Sequence, residues 1–312
     1  MAECTPGLVS VIVPVYNREN MVGKTLDSIL CQTYPNIEIV AVNDGSSDGS
    51  LAVLSEYAQR HPGKIVVIDQ SNTGQVRARN NGIAASRGEF IAFLDSDDTW
   101  EEDKLSLQIP LFTGNVGLVY SGIYEVDSVG RKTGTVLPES PVRGDIYRYL
   151  LVKNRMTGGS VVVTRKVLDK VGWFDECFRA AENWDLWIRI SKEYEVDYVA
   201  KPLVNYLKHA GNMSHDIARM EHGSWSILQK HLPVMPDEAD LKESYLEAYA
   251  NYYYGIGVQY FGMYKYREAR KMFLQCWQYI PNYHDSLVRV CRTLLGAKVN
   301  MFLSLVKSLK RK

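Results

Sequence analysis

The chain has 312 residues, 36 basic and 36 acidic, for a formal charge of +0, a balance that gives no footprint for nucleic acid as a partner. Five cysteines without a CxxC pair exclude a complete disulfide framework and fit a reducing compartment. No apolar stretch approaches the roughly 20 residues that span a bilayer, and Glu3 and Pro6 precede the first apolar run where a signal peptide would be basic, so a cytoplasmic protein is expected.

Through the first hundred residues, short β-branched runs alternate with segments of helical period. Val9 to Val15, Ile37 to Val42, Lys64 to Ile68 and Phe90 to Leu94 read as buried strands, and Met21 to Gln32, Ser50 to Gln59 and Gln75 to Ala85 as helices. That order predicts βαβ units and a parallel sheet. Further strands are expected at Val116 to Tyr120 and Ser160 to Val163, a helix at Trp184 to Ile190, and short strands at Val196 to Val199 and Val204 to Lys208. From Met213 onward the pattern is helical, which places a boundary near residues 210 to 216.

In an open parallel sheet, ligands collect beyond the carboxyl ends of the strands. The first strand ends in PVYNREN, the second in VNDGSSDGS and the fourth in FLDSDDTW, so three polar clusters fall on one edge. No G-x-G-x-x-G follows the first strand and no G-x-x-x-x-G-K-[ST] occurs, which disfavours Rossmann dinucleotide binding and a P-loop. Tyr16 offers a ring for base packing, and Asp44 can accept hydrogen bonds from a base or ribose. Asp95 and Asp97 are hard oxygen ligands of the kind Mg²⁺ or Mn²⁺ takes when it also bridges a diphosphate. A metal among them would explain how Asp95, Asp97 and Asp98 tolerate one another.

The segments VSVIVPVYNREN, VNDGSSDGS, NTGQVRARNNGIAASRGEFIAFLDSDD and ENWDLWIRI, in this order over about residues 8 to 215, resemble the inverting family-2 glycosyltransferases with the GT-A fold. The resemblance implies an α/β catalytic domain over residues 1–215, a mostly parallel sheet flanked by helices. It also implies a nucleotide-sugar donor gripped by the turn Pro14, Val15, Tyr16, Asn17 and Glu19, by Asp44 and by Arg79. Asp95 and Ser96 would lie near the ribose and donor sugar, and FLDSDD occupies the place of the family's D-x-D metal motif, with Asp97 on Mn²⁺ or Mg²⁺. NYLKHAGNMS resembles the segment that closes over the diphosphate, with His209 as a third metal ligand or phosphate donor. Plainer readings stand beside these: Arg79 as an exposed helix arginine, Glu19 or Asn20 as a helix-start residue, and Trp173 and Phe174 as core.

Direct displacement at an anomeric carbon needs a group that takes the acceptor proton. Family members carry an acidic pair at the place of Glu182-Asn183, and the second acid is commonly the base; here that position is an amide. The role therefore passes to Glu182 or Asp185, with Asp185 also spaced for a helical ion pair with Arg189.

The C-terminal part, residues 216–312, reads as an all-helical domain. Tyr253, Gly257, Tyr260, Ala269, Phe273 and Pro281 fall at the spacings of one tetratricopeptide-like helix pair starting near Ala250, which would pack on the catalytic domain or form a homodimer. After Asp285 no acidic residue remains, and Val299, Phe302, Leu303, Val306 and Leu309 lie at helical spacing among Lys298, Lys307 and Lys310. That tail reads as an interfacial helix on an anionic membrane or as a capping helix. The expected acceptor is a hydroxyl of a glycan, lipid-linked or protein-linked chain. The rival readings are a sugar-phosphate nucleotidyltransferase, whose glycine-rich first loop is absent, and a noncatalytic nucleotide-sugar-binding or partner-recruiting module.

Overall fold

The computed structural model describes residues 4–138, 143–209 and 216–295. By contacts the chain divides into two compact units, Met1–Leu150 with Asn154–Asn212, and Leu151–Lys153 with Met213–Lys312.

The first unit is built on a nine-stranded sheet. Its strands are β1 (Thr5–Val15), β2 (Ile37–Asp44), β3 (Ile65–Gln70), β4 (Gly88–Phe93), β5 (Thr99–Trp100), β6 (Val116–Val126), β7 (Lys132–Val136), β8 (Val162–Thr164) and β9 (Glu195–Leu207). The spatial order is β3-β2-β1-β4-β8-β6-β9-β5, with β7 on β6. β3, β2, β1 and β4 run parallel, in the manner the alternating pattern predicts. Beyond β4 the sheet is mixed: β8 is antiparallel to both β4 and β6, while β9 runs parallel to β6.

β1 reads as an unbroken apolar run because both of its faces are covered. One face carries the core of Val9, Val11, Val13 and Val15 against Val22, Leu26 and Ile29 of α1 (Val22–Leu30). On the other face lies α3 (Gln75–Ala85), following α2 (Ser50–Arg60) in the chain. The helix approaches so closely that a Cβ on Gly82 would stand 2.4 Å from Ile12 Cγ2. The register Val15 to Asn43 and Ile12 to Phe93 brings the ends of β1, β2 and β4 to one edge.

Several boundaries differ from the sequence expectation. The two short strands at 196–199 and 204–208 are one strand, β9, whose register slips beside Pro202, a residue that cannot donate to the ladder. The strand expected from Ser160 is β8 alone, because Gly158–Ser160 is a 3-10 turn. The remaining helices of this part are α4 (Lys104–Gln108), α5 (Tyr147–Val152), α6 (Arg165–Val171) and α7 (Glu182–Ser191). α7 begins at Glu182 rather than Trp184.

The second unit contains α8 (Ile217–His231), α9 (Ala239–Gly262), α10 (Tyr266–Tyr279) and α11 (Ser286–Arg292). α9 starts well before Ala250, since no breaker interrupts the run after Pro236. α9 and α10 meet where a Cβ on Gly257 would lie 2.7 Å from the Phe273 ring. Tyr249 is core, stacked on Tyr279 at 5.1 Å and edge-on to Trp225 at 5.9 Å, while Tyr264 is exposed. The basic segment 298–312, its interfacial-helix reading included, lies outside the described residues, as does the boundary at 210–215. No described helix is long and apolar enough to cross a membrane.

Lys104 is fully buried, with Nζ 2.5 Å from Gln108 Oε1 and 4.2 Å from the Trp100 ring centroid. Burial pushes its pKa well below the ordinary lysine value of 10.5. The folded state therefore holds this proton less tightly than the unfolded chain, and stability rises with pH until the unfolded lysine also loses its charge. Lys104→Met is expected to raise the melting temperature at pH 7, by about 2–4 °C for each kcal/mol recovered. Melting curves should show that gain shrinking as pH approaches 10.5.

Candidate active site

The loops after β1 and β2 are sewn together. Asn17 adopts a left-handed backbone, φ 52°, its N–H donates to Ser46 Oγ at 3.0 Å, and its Oδ1 accepts from Ser47 N at 2.8 Å. The Arg18 N–H donates to Ser50 Oγ at 2.7 Å. Glu19 is exposed and does not cap α1: its Oε2 accepts from Gly49 N at 2.6 Å, at the start of α2. Pro14 and Val15 are buried beneath this join, whereas Tyr16 is 48% exposed beside it.

Asp44, at the end of β2, is buried and organises the loop between β3 and α3. Its Oδ1 accepts from Gln70 Nε2 and Thr73 N, both at 2.8 Å, and from Thr73 Oγ1 at 3.3 Å. Its Oδ2 accepts from Gly74 N at 2.8 Å.

The three carboxylates of FLDSDDTW point to three different partners. Asp95 Oδ1 takes Arg79 Nη2 at 2.6 Å. Asp97 Oδ2 takes Arg18 Nη2 at 3.3 Å and lies 3.0 Å from His209 Nε2. Asp98 turns inward, its Oδ1 accepting from Leu207 N at 2.9 Å and its carbonyl from Thr25 Oγ1 at 2.8 Å. Burial, with Asp95 and Asp97 adding to it, pushes the Asp98 carboxyl well above the usual range. Ser96 is buried in the same turn.

Arg79 joins two of these regions. It sits on the inner face of α3, 4% exposed, with Cζ 5.6 Å from the Phe174 ring centroid. Besides Asp95 it reaches Glu182, Nη1 to Oε1 at 2.5 Å. Burial opposes the guanidinium charge, but Asp95 and then Glu182 overcome it and raise the Arg79 pKa above the ordinary arginine value. Gln75 Nε2 donates to the same Glu182 oxygen at 3.0 Å, while no described residue donates to Oε2. Glu182 opens α7 after Ala181, which is held left-handed at φ 60°, a conformation of order 1–2 kcal/mol above the usual one for a residue with a Cβ.

Asp185 is differently placed. It is fully buried, 2.9 Å from Arg189 Nε, and the Arg189 guanidinium binds the carbonyls of Val171, Gly172 and Trp173 at 2.6, 3.0 and 2.6 Å. The pair braces the segment joining α6 to α7. Phe174 is core, 5.0 Å edge-on to Phe93, and Trp173 is half-buried.

Among the described residues no group of three or more His, Cys, Asp or Glu side chains is arranged to hold a metal by itself. Asp97 Oδ2 and His209 Nε2, 3.0 Å apart, nevertheless fit one octahedral ion, whose neighbouring ligands at about 2.1 Å from it stand about 3.0 Å from each other. Such an ion ordinarily completes its shell with phosphate oxygens and water.

Residues 10–172, more than half of the chain, match Glycosyl transferase family 2. The chain belongs to that family. An uncharacterized glycosyltransferase of Rickettsia prowazekii is 29% identical over 214 residues, 67% of this chain and 66% of that protein. The glycosyltransferase GlyA of Streptococcus pneumoniae is 50% identical over 95 residues, 30% of this chain and 14% of that protein. The chain thus spans less than two thirds of the length of these relatives. S. aureus TarS 1–349, solved in complex with UDP-GlcNAc, superposes with a TM-score of 0.65 at 18% identity, covering 92% of this chain and 89% of that one. Mannosyltransferase PcManGT from Pyrobaculum calidifontis, solved with GDP-Man and Mn²⁺, gives 0.62 at 18% identity over 92% and 84%. Both likenesses show the fold, and this family-2 chain has the GT-A fold.

Within the family-2 framework, Gln75 and Arg18 are the side chains at the site that the sequence did not single out. Both lie inside recognised segments, NTGQ and YNREN, but nothing in either motif says which carboxylate its residue will meet. Asn183, where family members carry an acid, has its Oδ1 3.4 Å from Asn154 Nδ2. Asp185→Asn should lower unfolding free energy by about 1–3 kcal/mol, the loss of a charged partner for a buried ion, and leave nucleotide affinity unchanged; denaturant titration and calorimetric nucleotide binding check both halves.

Proposed function

We propose that this glycosyltransferase moves a sugar from a UDP-sugar to an acceptor hydroxyl with inversion, with Glu182 as proton acceptor. The observation that carries the reading is the Arg79 guanidinium, which ties the donor-side carboxylate Asp95 to Glu182 at 2.6 and 2.5 Å. One rigid side chain thereby fixes both partners of an in-line displacement relative to each other.

Tyr16 supplies an exposed ring for the base. Asp44 already accepts four bonds, three on Oδ1 and one on Oδ2, which fills the about four lone-pair sites of a carboxylate, so a base or ribose donor reaches it by displacing Gln70 or Thr73. The choice of a UDP-sugar follows the likeness to TarS 1–349, solved with UDP-GlcNAc. Pro14, Val15, Asn17 and Glu19 shape the turn behind the nucleotide, and Asp95 and Ser96 face the ribose and donor sugar.

In the reaction, Glu182 Oε2 takes the acceptor proton as the acceptor oxygen bonds to the anomeric carbon. The bond from that carbon to the diphosphate breaks, and its electron pair leaves on the nucleotide. Asp97 and His209 would hold a Mn²⁺ or Mg²⁺ ion, which when bound neutralises the charge of the departing diphosphate. Asp185 is read as a brace rather than as the base.

The acceptor in this reading is a glycan, lipid-linked or protein-linked hydroxyl in surface polysaccharide or glycoprotein glycan synthesis at the cytoplasmic face of a membrane. Residues 1–215 form the catalytic domain. Residues 216–312 serve for dimer formation and, through the basic tail, for contact with anionic lipid.

Screening UDP- and GDP-sugars for metal-dependent hydrolysis tests the donor assignment, with UDP release expected and GDP-sugars inert. Against the active donor, Glu182→Gln should lower turnover by about a hundredfold or more with little change in UDP affinity. Asp97→Asn should abolish turnover without lowering the melting temperature. Full activity of Glu182→Gln would remove it as the base, and full activity of Asp97→Asn without added metal would remove the metal.

A further inference from the structure

Arg18 stands at the junction of the nucleotide turn and the acidic motif, and no role for it follows from the sequence. Its Nη1 is held by the carbonyls of Tyr16 at 3.4 Å and Asn17 at 3.0 Å, and its Nη2 meets Asp97 Oδ2 at 3.3 Å. Its Nε is buried and has no hydrogen-bond partner. A guanidinium carries five N–H donors; with these contacts the Nε–H and one Nη2–H are unpaired, and the buried Nε–H becomes available to an incoming acceptor only when the guanidinium turns off Asp97. The long contact to Asp97 and the orphaned Nε mark a side chain whose hydrogen bonding is incomplete although it is well anchored at one end.

We propose that Arg18 is an exchangeable counter-cation: it competes with the divalent ion for Asp97 and becomes a ligand of the donor diphosphate when the ion binds. This rests on the metal and donor reading given above. The ion and the Arg18 guanidinium need the same oxygen, Asp97 Oδ2, which already has His209 Nε2 at 3.0 Å. An ion there sets two positive charges against the guanidinium at close range, and the repulsion is large in a partly buried site. The Nη1 anchor on the nucleotide turn keeps the guanidinium near the edge where β1 and β4 end. A diphosphate arriving with the ion offers oxygens to its free donors, in the planar fork geometry that suits guanidinium. Arg18 thus opposes the ion alone and favours the ion together with nucleotide, which makes their binding mutually reinforcing.

The test titrates Mn²⁺ into the full chain by calorimetry, with and without saturating UDP, for the wild type, Arg18→Gln and Arg18→Lys. Arg18→Gln should bind Mn²⁺ alone roughly tenfold more tightly, because the competing charge is gone. With saturating Mn²⁺ it should bind UDP about tenfold or more weakly, because a charge-assisted contact is lost. Arg18→Lys keeps the charge without the fork, so its affinity for Mn²⁺ alone should stay at the wild-type level while UDP binding weakens. If Arg18→Gln leaves the reinforcement between Mn²⁺ and UDP at its wild-type size, the proposal is wrong while the donor-site reading stands. If Arg18→Lys matches Arg18→Gln in affinity for Mn²⁺ alone, the effect belongs to loop shape and the proposal is again wrong. A wild type that binds neither Mn²⁺ nor UDP overturns the donor-site reading together with this one.

Discussion

The guanidinium of Arg79, wedged between Asp95 and Glu182, is the interaction on which the rest of the site depends. A buried cation is tolerable only when its charge is met at close range, and removing one member of such a set leaves the others unpaired in a poor solvent. Arg79 has one carboxylate from the end of β4 and another from the first turn of α7, with Gln75 completing the Glu182 side. Two segments far apart in sequence are therefore held at one separation by charge. The strained backbone of Ala181 sits next to the joint it supports.

The same logic resolves the crowding of Asp95, Asp97 and Asp98. Three carboxylates in four residues repel if they share a direction; here each faces a different partner. Asp95 meets Arg79, Asp97 meets Arg18 and His209, and Asp98 meets a backbone N–H of β9. From sequence alone, a metal ion is expected to reconcile all three. The structure assigns that task to protein groups first, with Asp97 and His209 as the pair spaced for an ion. Asp98, though part of the motif, anchors β9 against the turn and belongs to the fold.

What was legible in the sequence follows from period and chemistry. β1 to β4 and their helices announce themselves because central strands are apolar throughout and helices are amphipathic, and the parallel order then aligns three polar loops on one edge. The break read between two strands at 200–203 was wrong because Pro202 perturbs the register of β9 without ending it. Glu19 looked like a ligand or the start of α1 and proved to bind the start of α2, across a pair of loops that no local pattern connects. Arg79 and Glu182 are 103 residues apart, so their contact could not be inferred from helical spacing, whereas the Asp185–Arg189 pair, four residues apart on α7, could. Local regularities carry through to structure; ion pairs closed by tertiary contact do not.

The most direct test of this account is a double-mutant cycle on UDP release with Arg79→Gln and Glu182→Gln, measured with water as acceptor. If Arg79 acts by holding Glu182 in place, the double variant should turn over no more slowly than the worse single variant, since residues acting as one unit are strongly non-additive. Losses that multiply independently would contradict the account, because they would mean that the two side chains contribute to turnover without depending on their contact.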